Sequence, residues 1–200
     1  MSDLTFDLDR LTKELSGLPP RRRVAFAASC CERLLPNYAA FARDANWGSP
    51  SVLREALDQV WAVAGGDNPN PERIRELRTA TDRVMPDTES FSSDYTSSAL
   101  DAGVAVLQAL ECCIDGDPAT SAQAASSARD TVDMYIQTRD GLQYGAVDFE
   151  TRIRCDSLMV KELEKQRADV QLLASSPFSD KEIATILRSS SETKSNIGLA

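Results

Sequence analysis

The sequence contains no histidine among its 200 residues. Histidine is the usual general base near neutral pH, and it completes the Ser-His-Asp and Cys-His arrangements of nucleophilic enzymes. It also supplies ligands to many zinc sites and to the Glu-x-x-His motifs of di-iron helical bundles. Its absence argues against an enzyme, although catalysis by carboxylates, lysine or tyrosine alone stays open.

Cysteine occurs five times, an odd number, and never as a C-x-x-C pair. Adjacent residues of a helix point about 100° apart, so neighbouring cysteines do not aim two thiolates at one metal ion. With no export signal visible, we expect reduced thiols in the cytoplasm, buried as small side chains. We therefore expect no metal, haem or other cofactor. The five residues are Cys30, Cys31, Cys112, Cys113 and Cys155.

Long hydrophobic runs are also missing. The longest apolar run, residues 102–107, is far below the ~18 residues of a membrane span. The first ten residues lack the basic and apolar regions of a secretory signal. We therefore expect a cytoplasmic protein with no membrane contact.

Positive charge is scarce, since 22 basic residues stand against 31 acidic ones and the net charge is −9. An acidic field repels phosphate backbones, so we expect no nucleic-acid partner. The one basic run is residues 21–23, all arginine. Three cations at the start of a helix oppose its macrodipole, so we expect them to pair with acids on a neighbouring helix. An anionic ligand is the alternative.

Helical periodicity is what the sequence does have. In residues 21–44 the apolar side chains recur at i, i+3, i+4 and i+7, the spacing of one buried helix face. Similar segments, separated by proline and glycine, predict an all-α single-domain bundle of about seven or eight helices over residues 1–188, with a polar tail at 189–200. The segment of about 95–114 is apolar on every side, which predicts a central buried helix. The apolar positions of the first segment are Val24, Ala27, Ala28, Cys31, Leu34, Leu35, Tyr38 and Phe41.

Three local signals make sharper predictions. Pro36 lies inside the helix of residues 21–44 and predicts a kink or a break there. A single long amphipathic helix is predicted over about 148–174. Ser179 and Glu182 have the spacing of a capping box with apolar residues at the staple positions, which predicts a helix that begins at Ser179.

The segment CCERLLPNYAAF, residues 30–41, carries a family resemblance. Its pattern is Cys-Glu-Arg, two residues, Pro-Asn-Tyr, two residues, Phe, and it resembles the bacterial YjaG-like family, also called domain of unknown function 416. Weaker agreement follows in colinear order along nearly the whole chain. The resemblance implies an all-α, cytoplasmic, signalling-associated protein with no established activity and no catalytic residues. The weaker matches are Leu53, Asp58, Trp61, Asp101 and the stretch Ser195, Asn196, Ile197, Gly198.

The polar residues of this segment, with one acid from the apolar helix, form the candidate site. They are Glu32, Arg33, Asn37, Tyr38 and Asp101. Two interpretations stay open. The cluster is either a ligand-binding site or a network that joins the kinked helix to its neighbours, and we favour the network.

Three functions compete at this stage. The missing catalytic arrangements favour a non-enzymatic interaction or regulatory module with an unidentified protein partner, a homodimer being one form of it. The charge of −9 also suits an acidic inhibitor or immunity-type protein that masks a basic partner. The third is an enzyme that uses the side chains of Glu32, Tyr38 and Asp101.

Overall fold

The protein folds as a bundle of helices. The computed structural model describes residues 4–192 and 195–199, and those residues contain nine helices and no strand. The predicted all-α class is confirmed, and one predicted helix proves to be two. The helices are α1 (Leu8–Ser16), α2 (Pro20–Asp44), α3 (Pro50–Ala64), α4 (Pro71–Arg83), α5 (Thr96–Asp115), α6 (Pro118–Asp140), α7 (Phe149–Cys155), α8 (Ser157–Ser175) and α9 (Asp180–Ser191).

The helix predicted over about 148–174 is divided at Asp156 into α7 and α8. The Asp156 backbone is extended (φ −65°, ψ 142°), and its carboxylate accepts a hydrogen bond from the Leu158 N–H at 2.8 Å. Aspartate is a favoured N-cap because its side chain satisfies an N–H that the first turn leaves free. The prediction of one continuous helix was wrong. The helical spacing of apolar residues continues on both sides of Asp156, so periodicity alone does not indicate the cap.

Helix α2 lies at the centre of the bundle, in contact with α3, α5, α6, α8 and α9. Fifteen of its 25 residues are buried, and most of those from Ala25 to Cys30 are small. Small side chains allow helices to approach closely from several sides. Helix α5 is buried over eleven of its 20 residues and packs along α2. The centre is therefore shared by two helices, and the small residues of α2 gave too weak a hydrophobic signal to predict this.

Within residues 4–192 and 195–199, α5 is the one helix long and apolar enough to cross a membrane. The same length and composition occur in core helices of soluble proteins, and more than half of its apolar window is buried here. Helix α5 therefore serves as a core helix of the bundle.

Helix α2 continues through Pro36 without the break that the sequence allowed. Proline removes one hydrogen bond and crowds the preceding turn. Buried polar side chains before and after Pro36 bond to other parts of the bundle, as described below, and these contacts support the continuous helix. Pro36 itself is only partly buried.

The basic run at the start of α2 contacts the carbonyl ends of three other helices. The Arg23 guanidinium donates to the carbonyl oxygens of Leu15 (3.1 Å), Ser16 (3.0 Å) and Gly116 (2.6 Å), at the ends of α1 and α5. Arg22 donates to three carbonyls at and just after the end of α8, and its one ion-pair contact among the described residues, Asp180, lies 3.8 Å away. Cations at these ends favour the helix macrodipoles. The expected pairing with acids was thus largely wrong, because backbone carbonyls take that place. The acceptors of Arg22 are the carbonyls of Leu173, Ser176 and Phe178.

The capping box at the start of α9 is confirmed. The Glu182 N–H donates to Ser179 Oγ at 3.4 Å, and the Ser179 N–H donates to the Glu182 carboxylate at 2.9 Å. Ile183 is fully buried, whereas Phe178 stays 44% exposed. The helix begins where the sequence predicted, because a capping box is a local signal.

The stretch 189–200, predicted as a polar tail, begins inside α9, which ends at Ser191. Beyond it, Ser195, Asn196 and Ile197 are buried. The Asn196 N–H donates to the Arg33 carbonyl of α2 at 3.2 Å. The described part of this stretch is therefore packed against the central helix.

The hydrophobic core has two parts. The larger surrounds α2 and α5. The smaller joins the second half of α6 to α7, α8 and the stretch after α9. Its buried residues are Val132, Ile136, Phe149, Ile153, Met159, Leu163 and Ile197.

Candidate functional site

Glu32 is a buried carboxylate that points from α2 towards α3. The Trp61 indole N–H donates to it at 2.7 Å, and the Arg54 guanidinium pairs with both of its oxygens. Arg54 lies beside Asp58 at 3.1 Å, and Asp58 pairs with Arg188 of α9 at 2.7 Å. A chain of ion pairs thus runs from the core to the surface across three helices.

Arg33 points the other way, towards α8. Its guanidinium forms a two-bonded pair with the Glu162 carboxylate, at 2.6 and 3.0 Å, and also donates to the Ser29 carbonyl at 2.7 Å. Both charged groups are almost fully buried. Burial opposes ionisation of Glu162, yet the Arg33 charge and its hydrogen bonds hold the pKa of Glu162 below its usual value. The pair therefore stays charged inside the bundle.

A second acid extends this network on α8. The Asp169 carboxylate accepts from Ser29 Oγ at 2.6 Å and from the Lys165 ammonium at 2.5 Å, and it lies 3.7 Å from the Arg33 guanidinium. Gln166 donates to Glu162 at 2.8 Å. Each buried charge faces an opposite charge and further hydrogen bonds, as buried ion pairs require.

Asn37 is completely buried and joins α2 to the stretch after α9. Its amide N–H₂ donates to the Asn196 side-chain oxygen at 2.9 Å, and its oxygen accepts from Ser195 Oγ at 2.6 Å. The Asn196 amide in turn donates to the Ala128 carbonyl of α6 at 2.8 Å. These three amide and hydroxyl side chains connect three parts of the chain.

Tyr38 holds the loop that follows α2. Its hydroxyl donates to the Val84 carbonyl at 2.6 Å and accepts from the Ser49 N–H at 3.1 Å. Its ring packs near Phe41, with centroids 6.1 Å apart. Burial raises the pKa of Tyr38, so the phenol stays protonated at neutral pH. The residue acts here as a hydrogen-bonded link between loops.

Asp101 differs from the four residues of α2. It lies on α5, partly buried, and accepts a hydrogen bond from Thr131 Oγ1 of α6 at 2.8 Å. Burial raises its pKa to about 6, the Thr131 hydrogen bond opposes this, and the charge of Asp130 adds to it. Within residues 4–192 and 195–199 no cation forms an ion pair with Asp101. Asp101 is therefore a carboxylate with no counter-ion in the described part of the chain.

A cleft of about 420 Å³ lies between α5 and α6, beside Thr131. One wall is formed by the turn before α5 and the first residues of that helix, residues 94, 95, 97 and 98. Thr131, which bonds Asp101, lines the cleft, whereas Asp101 itself is not among the residues that line it. The lining residues are Asp94, Tyr95, Ser97, Ser98, Thr131, Met134, Tyr135, Thr138, Arg139 and Ile197.

The structure thus does not gather the five predicted residues at one point. Glu32 and Tyr38 lie six residues apart on α2 and point about 120° apart. Glu32 bonds α3, whereas Asp101 bonds α6. Sequence reasoning missed the partners Glu162 and Asp169, which form the polar stripe of α8 together with Gln166. The signal available in the sequence was the helical spacing of these polar residues, which places them together on one face of α8.

The cysteines are free thiols, four of them buried and Cys155 exposed. Burial raises the pKa of Cys30 and of Cys112 to about 12, which keeps both thiols protonated and unreactive. Among the described residues no group of three or more Cys, Asp or Glu side chains is arranged to hold a metal ion.

Comparison with known proteins identifies the family. Residues 10–200 match the family described as Protein of unknown function (DUF416). The chain belongs to the DUF416 family. This DUF416 chain is similar to the uncharacterised protein YjaG of Escherichia coli K12, at 24% identity over 188 residues, 92% of this chain and 93% of the relative. An uncharacterised protein of Haemophilus influenzae is similar at 24% identity over 194 residues, 94% of this chain and 95% of the relative.

A solved structure supports the DUF416 fold. The crystal structure of a DUF416 family protein from Shewanella baltica matches this chain with a TM-score of 0.85 and 24% identity. The match covers 94% of this chain and 97% of the other. The YjaG-like resemblance carried by residues 30–41 is therefore confirmed, and with it a family whose function is unknown.

Proposed function

We propose that this DUF416 protein is a non-enzymatic cytoplasmic module that acts by binding a protein partner. The observation that carries the proposal is that the polar side chains of α2 are already hydrogen-bonded inside the bundle. Glu32, Arg33, Asn37 and Tyr38 all bond to neighbouring parts of the bundle. A general base or nucleophile needs a polar group that is free to meet substrate, and these groups are already bonded.

Saturated polar contacts give the bundle a fixed shape instead. Buried, fully bonded networks rigidify a core and specify one arrangement of helices. A rigid bundle presents its surface without reorganising, which lowers the entropic cost of binding. The contacts of α2 therefore support an interaction module better than an enzyme.

An acidic inhibitor that masks a basic partner is the second candidate. The segment of residues 82–94 favours it, because four acids there are exposed and form no ion pair in the described part of the chain. Unpaired surface acids would steer a basic partner towards this face. The four are Asp82, Asp87, Glu89 and Asp94.

Native purification tests both functions. Tagged protein is purified from its own bacterial cells, with partners identified by mass spectrometry and the assembly mass measured by light scattering. We expect a stoichiometric protein partner or a homodimer that persists at high salt. Association that disappears with salt and with the double variant Asp87→Asn, Glu89→Gln would favour the inhibitor. The matched control is Asp9→Asn, Glu164→Gln, which removes equal charge elsewhere.

Recovery of a monomer with no partner at any salt concentration would contradict both functions. The enzyme alternative is tested with Glu32→Gln and Tyr38→Phe. If these residues only support the fold, cellular function should fall in proportion to the folded fraction. A complete loss of function in a stable, folded variant would instead indicate catalysis.

A further inference from the structure

A small polar cavity lies where α8, the end of α9 and the stretch after α9 meet beside α2. Its volume of about 210 Å³ is below the ~300–1,000 Å³ of sites for drug-sized ligands, so it suits a small ion. Five of its polar lining residues are more than nine-tenths buried, so the cavity is part of the folded interior and not a gap between surface side chains. They are Arg33, Glu162, Ser191, Ser195 and Asn196.

The charge around this cavity is positive, although the whole protein carries −9. Lys161 and Lys165 of α8 line it together with Arg33. Glu162 neutralises Arg33, and Asp169, which does not line the cavity, pairs with Lys165. Lys161 has no ion-pair partner in the described part of the chain. One positive charge is therefore left for a ligand to neutralise.

The spacing of the two lysines also points to an anion. Lys161 and Lys165 are four residues apart, which places them side by side on one face of α8. Like charges at this spacing repel and destabilise a helix. An anion bound between the two ammonium groups would remove that repulsion.

Hydrogen-bond donors remain available in the cavity. A lysine ammonium has three N–H donors and an asparagine amide has two. The Lys165 ammonium uses two, on Asp169 and on Ser190, and the Asn196 amide uses one, on a carbonyl of α6. Within the described residues Lys161 uses none. Donors for an anion therefore remain on both lysines and on Asn196.

We propose that this cavity binds a phosphate group, either as the free ion or as part of a small phosphomonoester, held by Lys161, Lys165 and Asn196. The hydroxyl protons of Ser190 and Ser195 are already donated within the protein, so the ammonium groups carry most of the recognition. A phosphate group has more charge and more acceptor oxygens than a carboxylate. It can therefore accept from α8 and from the stretch after α9 at once.

This ligand goes beyond the proposed partner-binding function and does not depend on it. The donors lie on α8 and on the stretch after α9, so none of the bonded side chains of α2 has to be released. Failure of native purification to find a partner would leave phosphate binding unaffected. Failure of phosphate binding would equally leave the interaction module standing.

Isothermal titration with inorganic phosphate and with glycerol 3-phosphate, at fixed ionic strength and pH 7.5, tests the proposal. We expect saturable binding of one phosphate group per chain and about tenfold weaker binding of acetate. Tighter binding of glycerol 3-phosphate would assign the site to a phosphomonoester, and tighter binding of inorganic phosphate to the free ion. Lys161→Gln should lose about tenfold in affinity. The matched control Lys181→Gln removes an exposed lysine of α9 outside the cavity, and it should bind as the original protein does.

Ser190→Glu provides a second variant that keeps both lysines. Ser190 is exposed and lines the cavity beside the Lys165 ammonium, so a carboxylate there competes with the phosphate group. We expect a similar loss of affinity with unchanged circular dichroism. Ser189→Glu, at the adjacent exposed serine outside the cavity, adds the same charge and should keep the affinity.

Absence of saturable binding of both phosphate compounds to the original protein would overturn the proposal. Acetate that binds as tightly as phosphate would overturn it as well, because the cavity would then attract any anion. Equal affinities in each cavity variant and its control would show that the phosphate group binds elsewhere.

Discussion

At the scale of single residues, the hydroxyl of Tyr38 fixes what can stand at position 48. Gly48 has φ +91°, and a Cβ built on it would lie 2.6 Å from the Tyr38 hydroxyl oxygen. That hydroxyl is itself held between Val84 and Ser49. Position 48 therefore requires glycine for two reasons: its φ is positive, and a Cβ has no room beside Tyr38.

The substitution Gly48→Ala should lower the free energy of unfolding by about 2–4 kcal/mol, since it adds steric overlap to a strained φ. Gly141→Ala is the matched control, because Gly141 also has positive φ (59°) but no atom near its Cβ. The control should cost only about 1–2 kcal/mol. Denaturant unfolding measures both, and equal losses would show that the Tyr38 contact adds nothing.

Asp101 gives a pH dependence whose sign follows from its raised pKa. The folded protein binds a proton at Asp101 more tightly than the unfolded chain does, since the pKa rises from 3.8 to about 6. This contribution to stability is full below the unfolded pKa and is lost as the pH rises through about 6. Ionised Asp101 therefore weakens the fold at neutral pH.

We expect Asp101→Asn to raise the free energy of unfolding by about 1 kcal/mol at pH 7.5, a figure reduced for partial exposure. At pH 4 the gain should vanish, because Asp101 is then protonated in the folded protein. Urea unfolding at the two pH values measures the difference. Asp9→Asn, an exposed carboxylate of α1, serves as the control. A gain at pH 4 that exceeds the gain at pH 7.5 would contradict the sign.

At the scale of helices, Arg22 and Arg23 make the N-terminus of α2 a binding point for the ends of α1, α5 and α8. Terminal carbonyls of a helix lack partners within it. Arginine satisfies several at once because its guanidinium carries five donors. Arg21, the third member of the run, forms one side-chain hydrogen bond within the described part of the chain, to Asn68 at 3.4 Å.

The difference between neighbouring arginines predicts different costs. Arg23→Ala should destabilise the protein by about 2–3 kcal/mol, since it removes charge-assisted bonds to two helix ends. Arg21→Ala should change stability by about 0.5 kcal/mol or less, since it removes one long hydrogen bond and no contact with a helix end. Thermal and denaturant unfolding compare the two. Similar losses at both positions would show that the carbonyl contacts do not distinguish Arg23.

The capping box of α9 gives a prediction for one helix end. Ser179→Ala should cost about 0.5–2 kcal/mol, because the Glu182 N–H loses its acceptor. Ser189→Ala, in the exposed face of the same helix, is the control. If α9 frays independently of the core, amide exchange will accelerate in its first turn while global unfolding stays unchanged. No change in either measurement would contradict a cap at Ser179.

These elements show what could be predicted from the sequence. A capping box or a Gly/Pro stop acts within four residues, so the start at Ser179 and most helix bounds were predictable. The division at Asp156 was missed because helix periodicity continued through it. The partners of Arg33 were missed since Glu162 lies 129 residues away, and periodicity carries no information about such pairs. The cleft beside Thr131 depends on how α5 and α6 meet, which no single segment encodes.

At the scale of the whole molecule, Asn196 joins α2 to α6. Its side chain bonds Asn37 and the Ala128 carbonyl, and its N–H bonds the Arg33 carbonyl. Asn196→Ala would leave the buried Asn37 N–H₂ group without its acceptor and would remove the side-chain bond to the Ala128 carbonyl. Asn196 thus connects parts of the chain that are far apart in sequence.

We expect Asn196→Ala to lower the free energy of unfolding by about 2–4 kcal/mol, since unpaired buried polar groups are costly. Gln171→Ala, at an exposed position of α8, gives a surface control. Denaturant unfolding with an unchanged m-value would assign the loss to stability alone. A loss below about 0.5 kcal/mol would show that water replaces these bonds.

The position of α2 also has a consequence for how the chain is made. Its buried charge at Arg33 is neutralised by Glu162, and its Asn37 amide is satisfied by Asn196, 159 residues later. As the polypeptide leaves the ribosome, α2 appears early. The partners of its Arg33 and Asn37 side chains are available only after most of the chain has been translated. Contacts of this sequence separation slow folding. We therefore expect the final packing around Arg33 and Asn37 to form only after residue 196 has been synthesised.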